Sequence, residues 1–429
     1  MLCIVMLTFI LPRTNIRLYE DMIYTHKSKA EEKNVISKTR NIYIDNINKQ
    51  LNNFKVDWNI MNHIYYPYEF IGDVMQNASQ EQHFFSLRYA MHLELHHFIK
   101  HEILYTDNAT KTLIFYGDDK YNLNNMSYLK NRDNENICIK YDSTNIKKIL
   151  SKKSSSIDHI VIGTHSVDDN EDDYARISYI SVLYALCFQK YNGSSLIKLF
   201  NIDTPLSIGI IGILSSMYLE VYLVKPITSK SDSTEIFVVC KKFLHKNSNL
   251  FYKNFMKIIH NLTKNEVLPQ LRSYRNLNNN EDTSRSKIIA SKIDYEYEIL
   301  RRGAINLQLI NKINEVSIIF YQRRLEYIHT IINTSFIQCK ISPIRETVRL
   351  FCNFVKQNNF NLDAKSDEGI SQLLQTQVYD NPKINAIINN NIHKCIEWTS
   401  KYHKPIIFSS EISIIVIRHL YDMISVLNI

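Results

Sequence analysis

Glycine and proline are scarce in this chain of 429 residues, with eight of each. No two glycines are adjacent, and no proline is followed by a glycine. A backbone that must come close to a phosphate or a cofactor usually contains clustered glycines, because a side chain would hold the ligand away. The motif GxxxxGK followed by Ser or Thr is also absent, which excludes a P-loop nucleotide site.

The seven cysteines are scattered along the chain and form no CxxC pair. This spacing excludes a zinc ribbon and gives no sign of a disulfide framework. Reduced thiols in an intracellular compartment are the simpler interpretation.

Long apolar runs are missing after the first residues, so no later segment is long enough to cross a bilayer. The first eleven residues, MLCIVMLTFIL, are apolar, but no positive charge precedes them and no small-residue cleavage site follows before Arg13. We expect a buried N-terminal strand or helix here, with a membrane or secretory role as the less favoured alternative. No membrane partner is expected.

The chain does contain ample apolar material, since 45% of its residues are hydrophobic. That content and length are typical of two or three domains with real cores. The formal net charge of +8 favours acidic partners, nucleic acid among them.

Strand and helix patterns alternate from about residue 80 to residue 245, which predicts an α/β domain with a parallel sheet. The expected strands are 112–117, 136–142, 157–163 and 194–200, and the expected helices are 173–191 and 204–220. In the first helix an apolar stripe is formed by Ile177, Ile180, Tyr184 and Cys187. The series ends in a hairpin of strands 220–225 and 235–240, joined by the polar stretch KPITSKSDST.

After residue 245 the pattern becomes helical. One face of a long helix collects apolar side chains at Ile305, Leu309, Ile313, Val316 and Phe320. We therefore expect three parts: an N-terminal segment (1–79), the α/β domain (80–245) and a helical C-terminal region (246–429).

The order of elements over 157–240 resembles the second half of a Rossmann-like methyltransferase, in which the final hairpin inserts an antiparallel strand into the sheet. The residues GSSLIKLF and SSMYLEVYLVKPITSKSDSTEIFVVCKKF narrow the resemblance to the FtsJ-like RNA ribose 2′-O-methyltransferases. That family has a Gly-Gly-x-x-x-x-Lys strand and a hairpin similar to Lys-Pro-x-x-Ser-Arg-x-x-Ser-Glu-x-Tyr-x-Val. It includes the cap methyltransferases of eukaryotes and large DNA viruses.

The resemblance implies that Lys198 and Glu235 are catalytic, with Arg88 in the position of the family's first catalytic Lys. Lys198 would help to remove the ribose hydroxyl proton, and Glu235 would orient Lys198. Arg88 cannot act as a base, although it can hold a phosphate. The residues alone also allow a plain structural Lys–Glu pair between neighbouring strands.

The resemblance also implies S-adenosylmethionine as cofactor and RNA, including capped mRNA, as partner. The hairpin loop would lie beside the RNA, with Lys225, Ser229 and Lys230 as contacts. Lys241 and Lys242 on the return strand would add further phosphate contacts.

Two departures from the family pattern concern catalysis. The Gly-rich cofactor loop is missing, so a cofactor site would have to use other residues, namely Gly117 with Asp118, Asp119 or Asp142, of which Asp142 resembles the family's acidic adenine-side residue. The acid expected after the strand DHIVIG is replaced by Gly163, Thr164 and His165, unless Asp168 or Asp169 supplies it from the following loop. S-adenosylmethionine binding is therefore expected to be weak or lost.

Two hypotheses follow. The first is a divergent, impaired cap-type RNA 2′-O-methyltransferase. The second is a catalytically inactive relative that binds RNA or serves as a structural subunit of a viral complex. The expected location under either is the cytoplasm of an infected host cell, or the virion.

The histidines of MHLELHHFIKHEIL give a weak metal signal. His92 with His96, and His97 with His101, have helical i, i+4 spacing that suits zinc. The two pairs point to different faces and HExxH is absent, so no metal is expected.

Two structural expectations test the resemblance. Strand 235–240 should be antiparallel and lie between strands 194–200 and 220–225. The side chains of Lys198 and Glu235 should point to the same side of the sheet, within charge-pair reach.

Overall fold

The computed structural model describes residues 6–16, 22–28, 65–72, 74–75, 87–103, 111–116, 135–140, 156–162, 171–200, 202, 205–246, 255, 295–300, 305–339 and 382–402. The chain forms two compact units. The first comprises Met1–Lys38, Ile103–Lys225 and Thr234–Phe320, and the second comprises Thr39–Glu102, Pro226–Ser233 and Tyr321–Ile429. The division into 1–79, 80–245 and 246–429 stays a prediction.

In chain order the described elements are β1 (Leu7–Ile10), β2 (Met22–Ser28), α1 (Leu87–Ile103), β3 (Lys111–Tyr116), β4 (Glu135–Lys140), β5 (Ile157–Ile162), α2 (Glu171–Phe188), β6 (Gln189–Leu199), α3 (Pro205–Met217), β7 (Tyr218–Lys225), β8 (Ile236–Phe243), β9 (Tyr295–Leu300), α4 (Leu307–Cys339) and α5 (Pro382–Tyr402).

The main sheet has seven strands in the order β1-β7-β8-β6-β5-β3-β4. Strands β4, β3, β5 and β6 are parallel, and β8 is antiparallel to both β6 and β7. The return strand of the hairpin therefore lies between its two expected neighbours, which confirms the predicted order. The result is a mixed α/β sheet consistent with a methyltransferase fold.

One face of this sheet carries the main hydrophobic core of the first unit. Alternate residues of the central strands point into it, among them Ile197, Val238 and Leu223, together with side chains of α2 and α3. The described part of α2 is buried on every side from Ser178 to Phe188, apart from the half-buried Ile180. The apolar stripe predicted for this helix is therefore only part of its buried surface.

The boundary between α2 and β6 differs from the prediction. The helix ends at Phe188, and β6 begins at once with Gln189, which pairs with Ile157. A shift of register follows before His159 pairs with Ser194. Gln189 stabilises this early start by donating to the carbonyl oxygens of Ile157 and Asp158 at 3.0 and 3.2 Å.

The C-terminal region, predicted to be mainly helical, contains the helices α4 and α5 among its described residues and also a strand that was not predicted. Strand β9 forms a separate two-stranded antiparallel sheet with β2. The long helix is present as α4, and Leu309, Ile313 and Val316 on its predicted apolar face are fully buried. The buried face of α4 is thus confirmed.

The apolar N-terminus contributes an edge strand. β1 pairs antiparallel with β7 and alternates between half-buried and exposed residues, with Ile10 58% exposed. The prediction of a strand or helix here is confirmed for residues 7–10, but the predicted burial is wrong for this strand, because none of its four side chains is fully buried. Within the described residues, no helix is long and apolar enough to cross a membrane.

Candidate functional site

The carboxyl edge of the parallel strands brings Lys198 and Glu235 together. Lys198 is the penultimate residue of β6 and pairs in register with Phe237 of β8. Glu235 precedes Phe237 by two residues, so the period-2 alternation of a strand places it on the same face as Lys198. The Lys198 Nζ lies 2.6 Å from Glu235 Oε2, which confirms the predicted charge pair.

This ion pair is almost completely shielded from solvent. The side chains of Lys198 and Glu235 are 6% and 9% exposed. The ammonium group also lies 4.8 Å from the ring centroid of Phe200. Removing two charges from water is costly unless their geometry is good, so the short distance offsets a large desolvation penalty.

Lys225 adds a second cation to this edge. It is the last residue of β7, and its Nζ donates to the backbone oxygen of Glu235 at 2.8 Å. Glu235 is therefore held through its side chain by one lysine and through its backbone by another. Such an arrangement can orient an amine toward a hydroxyl, and it can equally act as a structural clamp between β6, β7 and β8.

The structure does not describe the side chains of the remaining predicted catalytic and cofactor residues. Arg88 lies in the first turn of α1, and its side chain is outside the described residues. Gly117, Asp118 and Asp142 also lie outside them. Their roles stay predictions.

The predicted RNA contacts differ in their exposure. Ser229 is 3% exposed and Lys241 only 1%, so neither reaches a phosphate in this conformation. Lys225 and Lys230 are half-buried. Lys242 is the more accessible neighbour of Lys241, and its Nζ lies 2.7 Å from Glu220 Oε1.

The fit of S-adenosylmethionine can be examined at the described glycines. Gly193 cannot accept a side chain, because an added Cβ would lie 2.7 Å from the Asp158 carbonyl oxygen. It sits at the amino end of the parallel strands, opposite the edge where such sheets bind ligands. Gly212 is packed inside α3 against Ile305. Neither of these two glycines therefore provides a cradle for the cofactor.

The histidines of α1 form no metal site within the described part of the chain, where no group of three or more His, Cys, Asp or Glu side chains is suitably clustered. The Nε2 of His97 lies 3.1 Å from the backbone oxygen of Tyr402.

Sequence reasoning missed the buried carboxylate of Glu94 in the same helix. Glu94 is 1% exposed and bonds to the hairpin loop 133 residues further along the chain. The only local indication that Glu94 is buried was its position between Leu93 and Leu95 in a mostly apolar stretch.

Comparison with known proteins points to RNA methyltransferases. Over 179 residues the chain is 25% identical to the Caenorhabditis elegans cap-specific mRNA (nucleoside-2′-O-)-methyltransferase 1, covering 40% of this chain and 19% of that protein. It is 30% identical over 76 residues to the Drosophila melanogaster cap-specific mRNA (nucleoside-2′-O-)-methyltransferase 2, covering 18% and 11%. Distant homologues are thus cap-specific mRNA 2′-O-methyltransferases.

A third relative is named as inactive. The Caenorhabditis briggsae inactive cap-specific mRNA (nucleoside-2′-O-)-methyltransferase 1B is 39% identical over 66 residues, covering 15% of this chain and 8% of that protein. The chain spans less than a fifth of the length of each of these relatives. No protein-family profile matches it.

Among solved structures, a putative ribosomal RNA methyltransferase from Plasmodium falciparum aligns with a TM-score of 0.26 and 15% identity. The alignment covers 35% of this chain and 96% of that one. A likeness of this degree supports no inference about the site.

Proposed function

We propose that this chain is a divergent cap-type RNA ribose 2′-O-methyltransferase-like protein that binds RNA and transfers methyl groups poorly. Its distant homologues are cap-specific mRNA 2′-O-methyltransferases. Parallel α/β sheets bind their ligands at the carboxyl ends of the strands, where Lys198, Glu235 and Lys225 lie. S-adenosylmethionine is the methyl donor that this proposal requires.

The buried Lys198–Glu235 pair is the observation that carries the proposal. Methylation of a ribose needs its 2′-hydroxyl to be held in place and relieved of its proton. An amine fixed by a carboxylate in a site that excludes water can bind that hydroxyl and, when neutral, accept its proton. The pair lies at the positions that the family resemblance assigns to this chemistry.

A second candidate is an inactive methyltransferase-like protein that binds RNA or supports a partner subunit, in the virion or the cytoplasm of an infected cell. The sequence favours it at one position, because Gly163, Thr164 and His165 follow β5 where the resemblance calls for an acid. The low exposure of Lys198 also favours it, since a substrate hydroxyl has little access to the amine.

Three measurements on one protein preparation separate these candidates. Capped and uncapped RNA oligonucleotides should be bound at low ionic strength and released steeply as salt is added. Titration with S-adenosylmethionine should give little or no heat, and methyl transfer to the capped RNA should be barely detectable. Robust transfer that Lys198→Ala abolishes would show an active enzyme, whereas absence of salt-sensitive RNA binding would overturn the first candidate and leave only the partner-subunit form of the second.

A further inference from the structure

The carboxylate of Glu94 is the centre of a buried polar cluster in the second unit. Its Oε1 accepts from the backbone N–H of Ile227 at 2.7 Å. Its Oε2 accepts from the backbone N–H and the hydroxyl of Thr228 at 3.3 and 3.0 Å. The indole N–H of Trp398 in α5 donates to the same oxygen at 3.4 Å.

These bonds fix the segment Pro226–Ser233, which we call the hairpin loop. Thr228 has no exposed surface, and its backbone oxygen accepts from the hydroxyl of Tyr66 at 2.5 Å. The loop closes its own turns through bonds from Ser229 N–H to the Pro226 oxygen and from Ser233 N–H to the Lys230 oxygen. Each described contact of Glu94 with this loop thus acts on its backbone or on a fully buried hydroxyl.

The same cluster also determines where the ammonium group of Lys230 lies. The Nζ of Lys230 lies 5.8 Å from the ring centroid of Tyr66, whose hydroxyl holds the loop. Lys230 is only half-buried, so its ammonium group remains within reach of a ligand. The position of this cation therefore depends on the loop conformation that Glu94 and Tyr66 maintain.

In the described part of the chain, every group that bonds to the Glu94 carboxylate is a neutral donor. Among the described residues it has no lysine, arginine or histidine partner, and all four of its hydrogen bonds come from amide, hydroxyl or indole groups. Burial raises the pKa of Glu94, and these hydrogen bonds act against that rise. A buried carboxyl group without a cationic partner contributes little net stability, which points to a role beyond stability.

We propose that Glu94 is a positioning residue that holds the hairpin loop, and with it Lys230, in the conformation that contacts an RNA phosphate. This inference rests on the proposed RNA binding. The new element is that Glu94, a buried residue of α1, controls RNA affinity through the hairpin loop.

The test compares Glu94→Gln with Lys230→Gln, the double variant and Glu326→Gln. Glutamine has the size of glutamate, but its amide N–H groups would face the N–H and O–H donors that now bond to the carboxylate. Glu326, an exposed residue of the same unit that accepts from Gln322, is the matched control. RNA affinity is measured with a single-stranded oligonucleotide over a range of salt concentrations, and amide exchange is measured at Ile227 and Thr228.

We expect Glu94→Gln to weaken RNA binding about tenfold, the equivalent of one charge-assisted hydrogen bond. The slope of log K against log salt should fall by about 0.7, as for the loss of one phosphate contact on a single strand. Exchange at Ile227 and Thr228 should accelerate. Adding Lys230→Gln should cause little further loss, because both changes remove the same contact. The control should behave as the wild type.

If Glu94 had only a structural role, Glu94→Gln would lower the unfolding midpoint but leave the RNA affinity and the salt slope of the folded protein unchanged. That result would overturn this inference but not the proposed function. If the wild type itself does not bind RNA, both fall together. Should Glu94→Gln fail to fold, Thr228→Val removes one donor while leaving the carboxylate in place. It should show the same changes to a smaller degree, and unchanged affinity would contradict the proposal.

Discussion

Lys198 and Glu235 form a 2.6 Å ion pair whose two side chains are each more than nine-tenths buried. They come from β6 and from the residue just before β8, two segments joined only through α3, β7 and the hairpin loop. The pair therefore requires β8 to be paired with β6, so its integrity reports on this part of the fold as well as on the candidate site.

Breaking this pair from one side should be strongly destabilising. Lys198→Met leaves the Glu235 carboxylate buried without its cation, and we expect a loss of about 3–5 kcal/mol in the free energy of unfolding. The double variant Lys198→Met, Glu235→Leu should recover much of that loss, because no uncompensated charge remains. Urea denaturation of the two single variants and the double variant measures this coupling. A single variant that loses less than about 1 kcal/mol would place the pair in the class of weak surface salt bridges.

His159, in the interior strand β5, should make the stability of the fold depend on pH. Burial lowers the pKa of His159 from 6.5 to about 4, and its Nδ1 lies 2.8 Å from the Ser194 hydroxyl. The unfolded chain takes up a proton near pH 6.5 and the folded chain near pH 4, so stability contributed by neutral His159 is lost as pH falls through this window. Below pH 4 no further loss is expected from this group.

His159→Gln isolates that effect, because glutamine can still bond to Ser194 but does not titrate. Between pH 7 and pH 5 the wild type should lose about 1 kcal/mol more than the variant. This is less than the roughly 1.8 kcal/mol that the full difference in pKa gives over this range, because His159 is only half-buried by area. The comparison cancels the contributions of other groups, including the lowered pKa of His245 and the raised pKa of Glu94. Parallel pH profiles of the two proteins would contradict the assignment.

Two glycines offer a matched test of packing. A Cβ at Gly193 would lie 2.1 Å from Gln189 Nε2 and 2.7 Å from the Asp158 carbonyl oxygen. Gln189 cannot easily move, since it also accepts from the Tyr218 hydroxyl at 2.9 Å. Gly193→Ala should therefore cost about 1–3 kcal/mol as an overpacked site.

Gly212→Ala should be close to neutral. Its nearest neighbours are side-chain atoms of Ile305 at 3.2 and 3.3 Å, which can shift slightly. Replacing a glycine inside a helix also gains about 0.5–1 kcal/mol. Thermal denaturation of both variants checks the difference, and equal midpoints would show that the start of β6 is looser than described.

Substitutions of the adjacent lysines Lys241 and Lys242 in β8 should have different effects, one on stability and the other on RNA binding. Lys242→Gln should reduce the salt slope of RNA binding by about 0.7 if this residue contacts a phosphate. Lys241→Gln should leave the slope unchanged and lower stability, because Lys241 is 1% exposed and its Nζ lies 5.1 Å from the ring centroid of Tyr222. The reverse pattern would mean that β8 presents its other face to RNA.

The elements that the sequence predicted well are those set by local pattern. Alternating apolar residues and the polar connection after Lys225 were enough to place the hairpin, and the family resemblance then predicted the position of β8 and the pairing of Lys198 with Glu235. Strand boundaries were less accurate where a side chain such as Gln189 stabilises an irregular register.

Long-range contacts could not be read from the sequence. Trp398 and Glu94 are 304 residues apart, and neither lies in a motif that signals the other. Strand β9 lies in a region whose neighbouring segments have helical periodicity, and it pairs with β2 from near the start of the chain. Such partners are selected by tertiary packing, which local propensity does not encode.

The edge position of β1 has a consequence for handling the protein. Its four residues cover the outer backbone groups of β7 from Tyr222 to Lys225. If proteolysis removed the chain up to Ile10, β7 would become an open, apolar strand edge able to pair with another copy. Trimming at the amino terminus is therefore a route to self-association, even though it removes no residue of the candidate site.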